Sequence, residues 1–314
     1  MGENRYVVEQ HNREFGFYVR ASDPLVRERT RYQQLEIVES RQFGRMLSLD
    51  NAFMTSEKDE FFYHENVVHV PAIAHSDPRQ ALIVGGGDGG AAEELLKHNT
   101  IERVVMAELD ESVVEASRRW LPAVHNGVFD NPRLELRITD GKAYVETTDE
   151  RFDLIVLDLT DPVGPSQALY TREFYATCKR ILNPAGLVSM PAENPLTRPR
   201  MMNRIVRTLA SVFGIVHPYL VHVPLWGTWW ALAVASDHTD PAVLDENEVE
   251  RRIAARGVDH LEFYNGAMHR AVFALPNFVR DLLAQPAEII SADSPAIDED
   301  ISLNATRHLT VEER

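Results

Sequence analysis

The chain has a single cysteine, Cys178, among 314 residues. One thiol can form neither an intrachain disulfide nor a four-cysteine zinc cage, so the fold does not depend on an oxidising compartment. Long apolar runs are missing too. No stretch approaches the roughly 18 uninterrupted apolar residues of a membrane span. The start, Met1-Gly2-Glu3-Asn4-Arg5, leads into polar sequence without the apolar core of a secretory signal. These absences predict a cytoplasmic protein with no membrane partner. Positive charge is scarce: 32 Lys and Arg face 48 Asp and Glu, a formal charge of −16. A nucleic-acid binder needs a basic face, so no nucleic-acid partner is expected. A negative field suits a cationic ligand, whose approach it speeds. A solvated acidic surface gives the same charge sum.

What is present is ordinary in amount and informative in order. Hydrophobic residues make up 44% and charged residues 25%, as in a globular protein. The length fits two domains, or one with an attachment. Residues 1–65 read as a small β unit, with strands at 14–20 and 35–38 and turn chemistry at Gly44 and Asp50-Asn51. A helix is expected from about Glu57 to Ala74, ended or kinked by Pro71. Residues 66–284 form the second unit. In it, strands at 81–84, 104–107, 134–139, 154–157 and 187–190 alternate with helices at 91–98, 110–120, 171–182 and 197–212. Two last strands fit 215–223 and 229–236. Strand-helix alternation predicts an α/β fold with a mostly parallel sheet covered by helices on both faces. In such folds ligands lie outside the carboxyl ends of the strands. The tail, 285–314, carries Pro286, Pro295 and the acidic run Asp298-Glu299-Asp300, and reads as disordered or as a flap over the site.

The strongest local feature is Gly85-Gly86-Gly87-Asp88-Gly89-Gly90, after a predicted strand and before a predicted helix. Gly85 and Gly87 permit a tight turn and close backbone approach to a ligand. Glu108 ends the next strand, where an acid accepts hydrogen bonds from ribose hydroxyls. The pattern alone serves a dinucleotide or S-adenosylmethionine. Asp88 separates them, because a carboxylate in the turn repels a pyrophosphate and attracts an ammonium or sulfonium group. The third strand ends in Asp140-Gly141, either an adenine-amine acceptor or a plain turn. The fourth ends in Asp158-Leu159-Thr160-Asp161-Pro162, two carboxylates at the mouth of an apolar strand. Thr171 is the expected cap of the helix after it. His64 and His69 are one residue further apart than the HExxH zinc spacing and would point about 140° apart on a helix, so no metal site is expected.

Together these residues resemble the polyamine aminopropyltransferases, the spermidine synthase family. The resemblance runs from about Gln33 to Val279. It includes Gly44-Arg45-Met46-Leu47, Asp59-Glu60-Phe61 with Tyr63-His64-Glu65, the glycine turn, Leu96-Lys97-His98, Glu108-Leu109-Asp110, Asp140-Gly141, Asp158–Pro162, Tyr264-Asn265 and Phe273-Ala274-Leu275-Pro276. It implies a methyltransferase-like, Rossmann-type sheet with a small N-terminal β domain, in a homodimer or homotetramer. It also implies transfer of an aminopropyl group from decarboxylated S-adenosylmethionine to a polyamine substrate, by default putrescine, with methylthioadenosine released. That compound is a co-substrate; no permanently bound cofactor and no metal are implied. By position, Gln33, Gly85, Gly87, Glu108, Asp140, Gly141 and Pro165 would hold the nucleoside and Asp88 the aminopropyl ammonium. Asp158 would act on the attacking amine with Tyr63, and His64, Asp88, Asp161, Glu193 and Trp226 would line the acceptor site.

The chain departs from the common pattern on the acceptor side. Leu159 follows the first aspartate in place of serine or cysteine. Pro191 replaces a glutamine and Glu93 an arginine, and Pro224-Leu225-Trp226-Gly227-Thr228-Trp229 replaces a tyrosine-containing loop. Asp-Leu-x-Asp-Pro, this loop and Ala235-Ser236-Asp237-His238 are closer to thermospermine and triamine/agmatine aminopropyltransferases, although those usually have glutamate where this chain has Asp88. A longer acceptor, agmatine or spermidine, is therefore the alternative. Trp226 either shapes a longer apolar channel or simply packs. A methyltransferase using intact S-adenosylmethionine and a non-catalytic polyamine binder are the readings from other classes.

Overall fold

The computed structural model describes residues 4–12, 14–296 and 308–311. The chain opens with β1 (Asn4–Gln10), β2 (Gly16–Arg20), β3 (Val26–Arg29), β4 (Gln34–Ser40), β5 (Gly44–Leu49) and β6 (Ala52–Ser56). β1 pairs with β2, and β3 to β6 form a four-stranded antiparallel sheet in sequence order. The β5–β6 turn places Asp50 and Asn51 at φ 44° and 70°. A two-residue hairpin needs positive φ at both positions, and Asp and Asn tolerate it best after glycine.

Next comes α1 (Phe61–Ala74), starting a few residues after the expected position. The boundary expected at residue 65 therefore falls inside a helix. Every residue from Tyr63 to Ala74 is buried, which makes α1 an element of the core interior and not a surface helix. Pro71 does not end it. The helix runs on to Ala74, and the His75 N–H closes the last turn on the Pro71 carbonyl. Burial of Val70, Ala72 and Ile73 holds the turn despite the missing proline donor.

Then strands and helices alternate: β7 (Gln80–Gly85), α2 (Gly90–Lys97), β8 (Arg103–Glu108), α3 (Glu111–Trp120), α4 (Pro122–His125), β9 (Leu134–Ile138), α5 (Gly141–Thr147), β10 (Phe152–Asp158), α6 (Arg172–Ile181), β11 (Leu182–Pro191), α7 (Pro199–Ala210), β12 (Ile215–Val223) and β13 (Thr228–Ser236). The seven strands make one sheet in the order β12-β13-β11-β10-β7-β8-β9. β11, β10, β7, β8 and β9 run parallel, and β13 is antiparallel to both of its neighbours. Successive residues of β10 alternate between two cores. Leu154 and Val156 join Ile83, Met106 and α1 on one face, whereas Ile155 and Leu157 join Leu82, Val105, Phe174 and Ile205 on the other. Burial on both faces explains why the strand is apolar throughout. Thr171 caps α6 by accepting from the Phe174 N–H at 3.3 Å.

The chain steps outward from β7 to β8 and β9, then returns to place β10 on the other side of β7. That reversal opens a crevice at the carboxyl ends of β7 and β10.

Beyond β13, where no elements were expected, lie α8 (Glu246–Ala255), α9 (Gly266–Ala271) and α10 (Asn277–Ala284). They are short, and α8 buries only Val249 among its ten residues, so their periodicity is faint. The start of the tail, 285–296, is neither disordered nor a flap over the crevice. Ile290 is buried, its N–H donates to the Thr208 hydroxyl at 2.9 Å, and its carbonyl accepts from the Arg172 N–H. It lies on the outer side of α6 and α7, away from the crevice lining. Residues 297–307 and 312–314, with the acidic run, lie outside the described residues. Between them β14 (His308–Val311) adds antiparallel to the free edge of β1.

Candidate active site

The crevice holds a cavity of about 320 Å³, a size suited to a small molecule. Its floor is the glycine turn. Gly85 and Gly86 take φ +85° and +77°, and the Gly86 N–H donates to the Asp158 carbonyl at 3.2 Å. A Cβ on Gly85 would meet that carbonyl at 2.2 Å, and one on Gly87 would press on Val113 and Glu108. The turn is thus packed between β7, β10 and the end of β8, which brings the strand-end acids Glu108 and Asp158 close to the turn's own Asp88.

On one side of the turn, Glu108 is buried and accepts from the Asp110 N–H at 2.8 Å. Burial raises its carboxyl to about 7, against the pull of that N–H. Further hydrogen-bond donors from a ligand would supply the missing stabilisation of the anion. Gln33 lies opposite; its side-chain N–H donates to Asp110 at 3.0 Å, and Thr30 donates to the same oxygen at 2.7 Å. The N-terminal sheet is therefore tied to the end of β8 on this side of the cavity. Asp140 caps α5 by accepting from the Lys142 and Ala143 N–H groups through Oδ1, so its turn role is real and only Oδ2 is left for a ligand. Asp140, Gly141 and Pro165 all line the cavity.

On the other side, the Tyr63 hydroxyl donates to Asp158 Oδ1 at 2.9 Å, whereas Oδ2 is buried with no partner among the described residues. Burial, reinforced by the nearby Asp88 carboxylate, pushes Asp158 up to about 6. His64 has carboxylates on both ring nitrogens: Glu60 is 2.6 Å from Nδ1 and Asp88 is 3.6 Å from Nε2. Burial opposes charge on the ring, but the two acids overcome it and hold His64 well above its ordinary range, as an imidazolium. Asp88 also accepts from the Gly90 N–H at 2.8 Å. Burial works against its charge, yet His64 brings it below its ordinary value. The donor atoms of His64, Asp88 and Asp158 lie within 4.8 Å of one another, a spacing for an organic cation or a metal ion. His69 is elsewhere, buried between His98 and Glu94.

An aromatic wall closes this end. Trp226 stands 5.3 Å from Tyr63 and 4.8 Å from Trp230 between ring centroids. Leu159, Asp161 and Pro191 line the cavity here; Glu93 does not, and instead pairs with Lys97 along α2. Glu193 is a correction to the sequence reading. It is buried behind the wall, outside the cavity lining, with its carboxylate on Arg198 at 3.1 Å and its carboxyl raised to about 8 by burial and by Asp161. Asp161 is also held by Arg198, at 2.6 Å.

Sequence reasoning missed Glu60, Arg198 and Glu9 as site residues. Glu60 carried a signal, since it sits one helical turn before His64 and faces it. Arg198 and Glu9 carried none. Glu9 comes from β1, lines the cavity, and accepts from the Phe53 N–H at 2.7 Å.

Residues 60–247 match the family described as spermine/spermidine synthase domain, and residues 6–57 match the spermidine synthase tetramerisation domain. The polyamine aminopropyltransferase of Nitrosomonas europaea is 49% identical over 299 residues, 95% of this chain and 91% of that one. That of Moorella thermoacetica is 40% identical over 271 residues, covering 86% and 93%. A spermidine synthase solved with the transition state analogue AdoDATO superposes with a TM-score of 0.83 at 34% identity, over 89% of this chain and 94% of its own. The spermidine synthase of Thermotoga maritima gives a TM-score of 0.82 at the same identity and coverage. With its fold, strand-end acids and glycine turn accounted for, the chain belongs to the spermine/spermidine synthase family and is a polyamine aminopropyltransferase.

Proposed function

We propose that the enzyme transfers the aminopropyl group of decarboxylated S-adenosylmethionine to putrescine, giving spermidine and methylthioadenosine. The observation that carries this reading is the unpartnered, buried Oδ2 of Asp158 beside Asp88, at the carboxyl end of β10. It is a proton acceptor with nothing among the described residues to satisfy it.

The nucleoside lies between Gln33, Glu108, Asp140-Gly141 and Pro165, over the backbone of Gly85 and Gly87. Asp88 faces the aminopropyl ammonium. The attacking nitrogen lies against Asp158. An alkyl ammonium has a pKa of about 10.4, so freeing its lone pair at pH 7 costs about 4–5 kcal/mol. A carboxylate alone would stabilise the cation and hinder this, whereas the adjacent sulfonium charge lowers the amine pKa. Asp158 Oδ2 takes the proton while Tyr63 holds Oδ1. The freed nitrogen attacks the propyl carbon bonded to sulfur. The new C–N bond forms as the C–S bond breaks, and its electron pair leaves on sulfur with methylthioadenosine. The acceptor's four methylenes pack on the wall of Tyr63, Trp226 and Trp230, a burial worth about 3 kcal/mol. Asp161 faces its far end.

The family resemblance implies no metal, and a chelator checks for a metal requirement directly. The match of residues 6–57 to a tetramerisation domain supports self-association through the N-terminal sheets. The test is mass-spectrometric product analysis with decarboxylated S-adenosylmethionine and putrescine, with and without EDTA. Spermidine and methylthioadenosine in equal amounts, unaffected by the chelator, are expected. Reaction only with intact S-adenosylmethionine would replace this reading by methyl transfer.

A further inference from the structure

We propose that Arg198 sets acceptor length by occupying, as a cation built into the protein, the carboxylates that a longer polyamine would need. Arg198 immediately precedes α7 and is buried. Its guanidinium donates to Asp161 Oδ2 at 2.6 Å and to Glu193 Oε1 at 3.1 Å. The second Glu193 oxygen is turned to the Asn194 N–H at 3.2 Å. Glu193 holds this position at φ +75°, a left-handed conformation that a side chain of its kind rarely adopts. The pair is thus maintained against backbone strain.

The consequence lies in the charge count. Asp161 is the member of this trio that reaches the cavity; Glu193 and Arg198 stand behind it. Two acids and one guanidinium leave at most one negative charge, enough for the far ammonium of a diamine. Glu9, which also lines the cavity, accepts from the Phe53 N–H and is kept protonated by burial, so it adds no charge. A triamine brings one more ammonium to the same end and finds Arg198 where a free carboxylate would be needed. The aromatic wall beside Asp161 can pack methylenes but cannot neutralise a charge. Arg198 touches no substrate in this arrangement; it acts through Asp161.

This inference rests on the aminopropyl-transfer reading, and the two fail differently. Absence of methylthioadenosine formation by the wild-type enzyme with every amine would defeat the underlying reading. Wild-type transfer to spermidine as efficient as to putrescine would defeat the inference alone. The decisive measurement is the ratio of kcat/KM for putrescine to that for spermidine. We expect it to exceed tenfold in the wild type and to stay within about threefold of that value in Arg198→Lys, which keeps the charge. It should fall at least tenfold in Arg198→Met/Glu193→Gln, which frees Asp161 without leaving Glu193 buried and unpaired, mainly through a lower KM for spermidine. A double variant that melts like wild type but keeps the wild-type ratio, or loses turnover equally on both amines, would reduce Arg198 to a structural ion pair and overturn the proposal. So would an Arg198→Lys variant whose ratio collapses like that of the double variant.

Discussion

At the scale of single residues, the site depends on how its carboxylates are partnered. Asp158 has one oxygen on the Tyr63 hydroxyl and the other buried with no partner among the described residues. Asp158→Asn preserves shape and the Tyr63 contact but cannot take a proton. It is expected to lower kcat by about 10²- to 10⁴-fold while methylthioadenosine affinity, measured by calorimetry, changes little. Turnover at the wild-type rate would remove Asp158 from the proton transfer. The same group predicts the acid side of the pH profile. Burial and Asp88 raise it to about 6, and only the ionised form accepts a proton. kcat/KM should therefore fall as pH drops below about 6, and this decline should be missing from the residual activity of Asp158→Asn.

At the scale of elements, the α1–α2 approach positions the pocket of His64, Asp88 and Asp158. Gly90 starts α2 directly against the His64 ring of α1, and a Cβ there would lie 2.3 Å from Nδ1. That ring is buried and pinned by Glu60 and Asp88, so it has no room to yield. Gly90→Ala is expected to cost about 1–3 kcal/mol through overpacking and to weaken binding of the cationic co-substrate. Gly127→Ala is the comparison. Gly127 also has positive φ, +77°, but its Cβ would meet nothing within 4 Å, so only backbone strain of about 1 kcal/mol is expected. Thermal unfolding of the two variants checks this order. Equal melting temperatures would show that the helices can separate without loss.

At the scale of the whole molecule, the N-terminal β region contributes to the cavity as well as lying beside it. Glu9 of β1 reaches the same end as Asp161. Its carboxyl is raised from 4.5 to about 8, first by burial, opposed by the Phe53 N–H and by Arg198, and supported by Asp161. The folded state then keeps a proton that the unfolded chain has lost between about pH 4.5 and 8. Glu9 therefore takes stability away as pH rises through that window. Glu9→Gln removes the titration. Its melting temperature relative to wild type should rise from pH 5 to pH 8. A constant difference across that range would mean that Glu9 is ionised in the folded protein.

Much of this was legible in the sequence, wherever a feature depends on near neighbours in the chain. The alternation of apolar strands with amphipathic helices predicts the parallel sheet, because a strand buried on both faces must be apolar throughout. Gly85–Gly90 after a strand predicts the turn. Glu108, Asp140 and Asp158 are strand-end acids, and sheet topology brings such ends together whatever the details. Short helices α8 to α10 escaped notice because so few of their residues are buried. The family resemblance, matched by position, implied that Glu193 lines the acceptor site. The fold sends Arg198 back 37 residues after Asp161 to claim both acids. Glu9 reaches the cavity only because the β1–β2 hairpin folds over it. Local pattern thus determined the sheet, the glycine turn and the kinds of group at the strand ends. Which acid meets which cation, and which carboxylate stays unpartnered, was decided only by tertiary packing, because charge pairing in a buried site depends on distances that no local sequence pattern encodes.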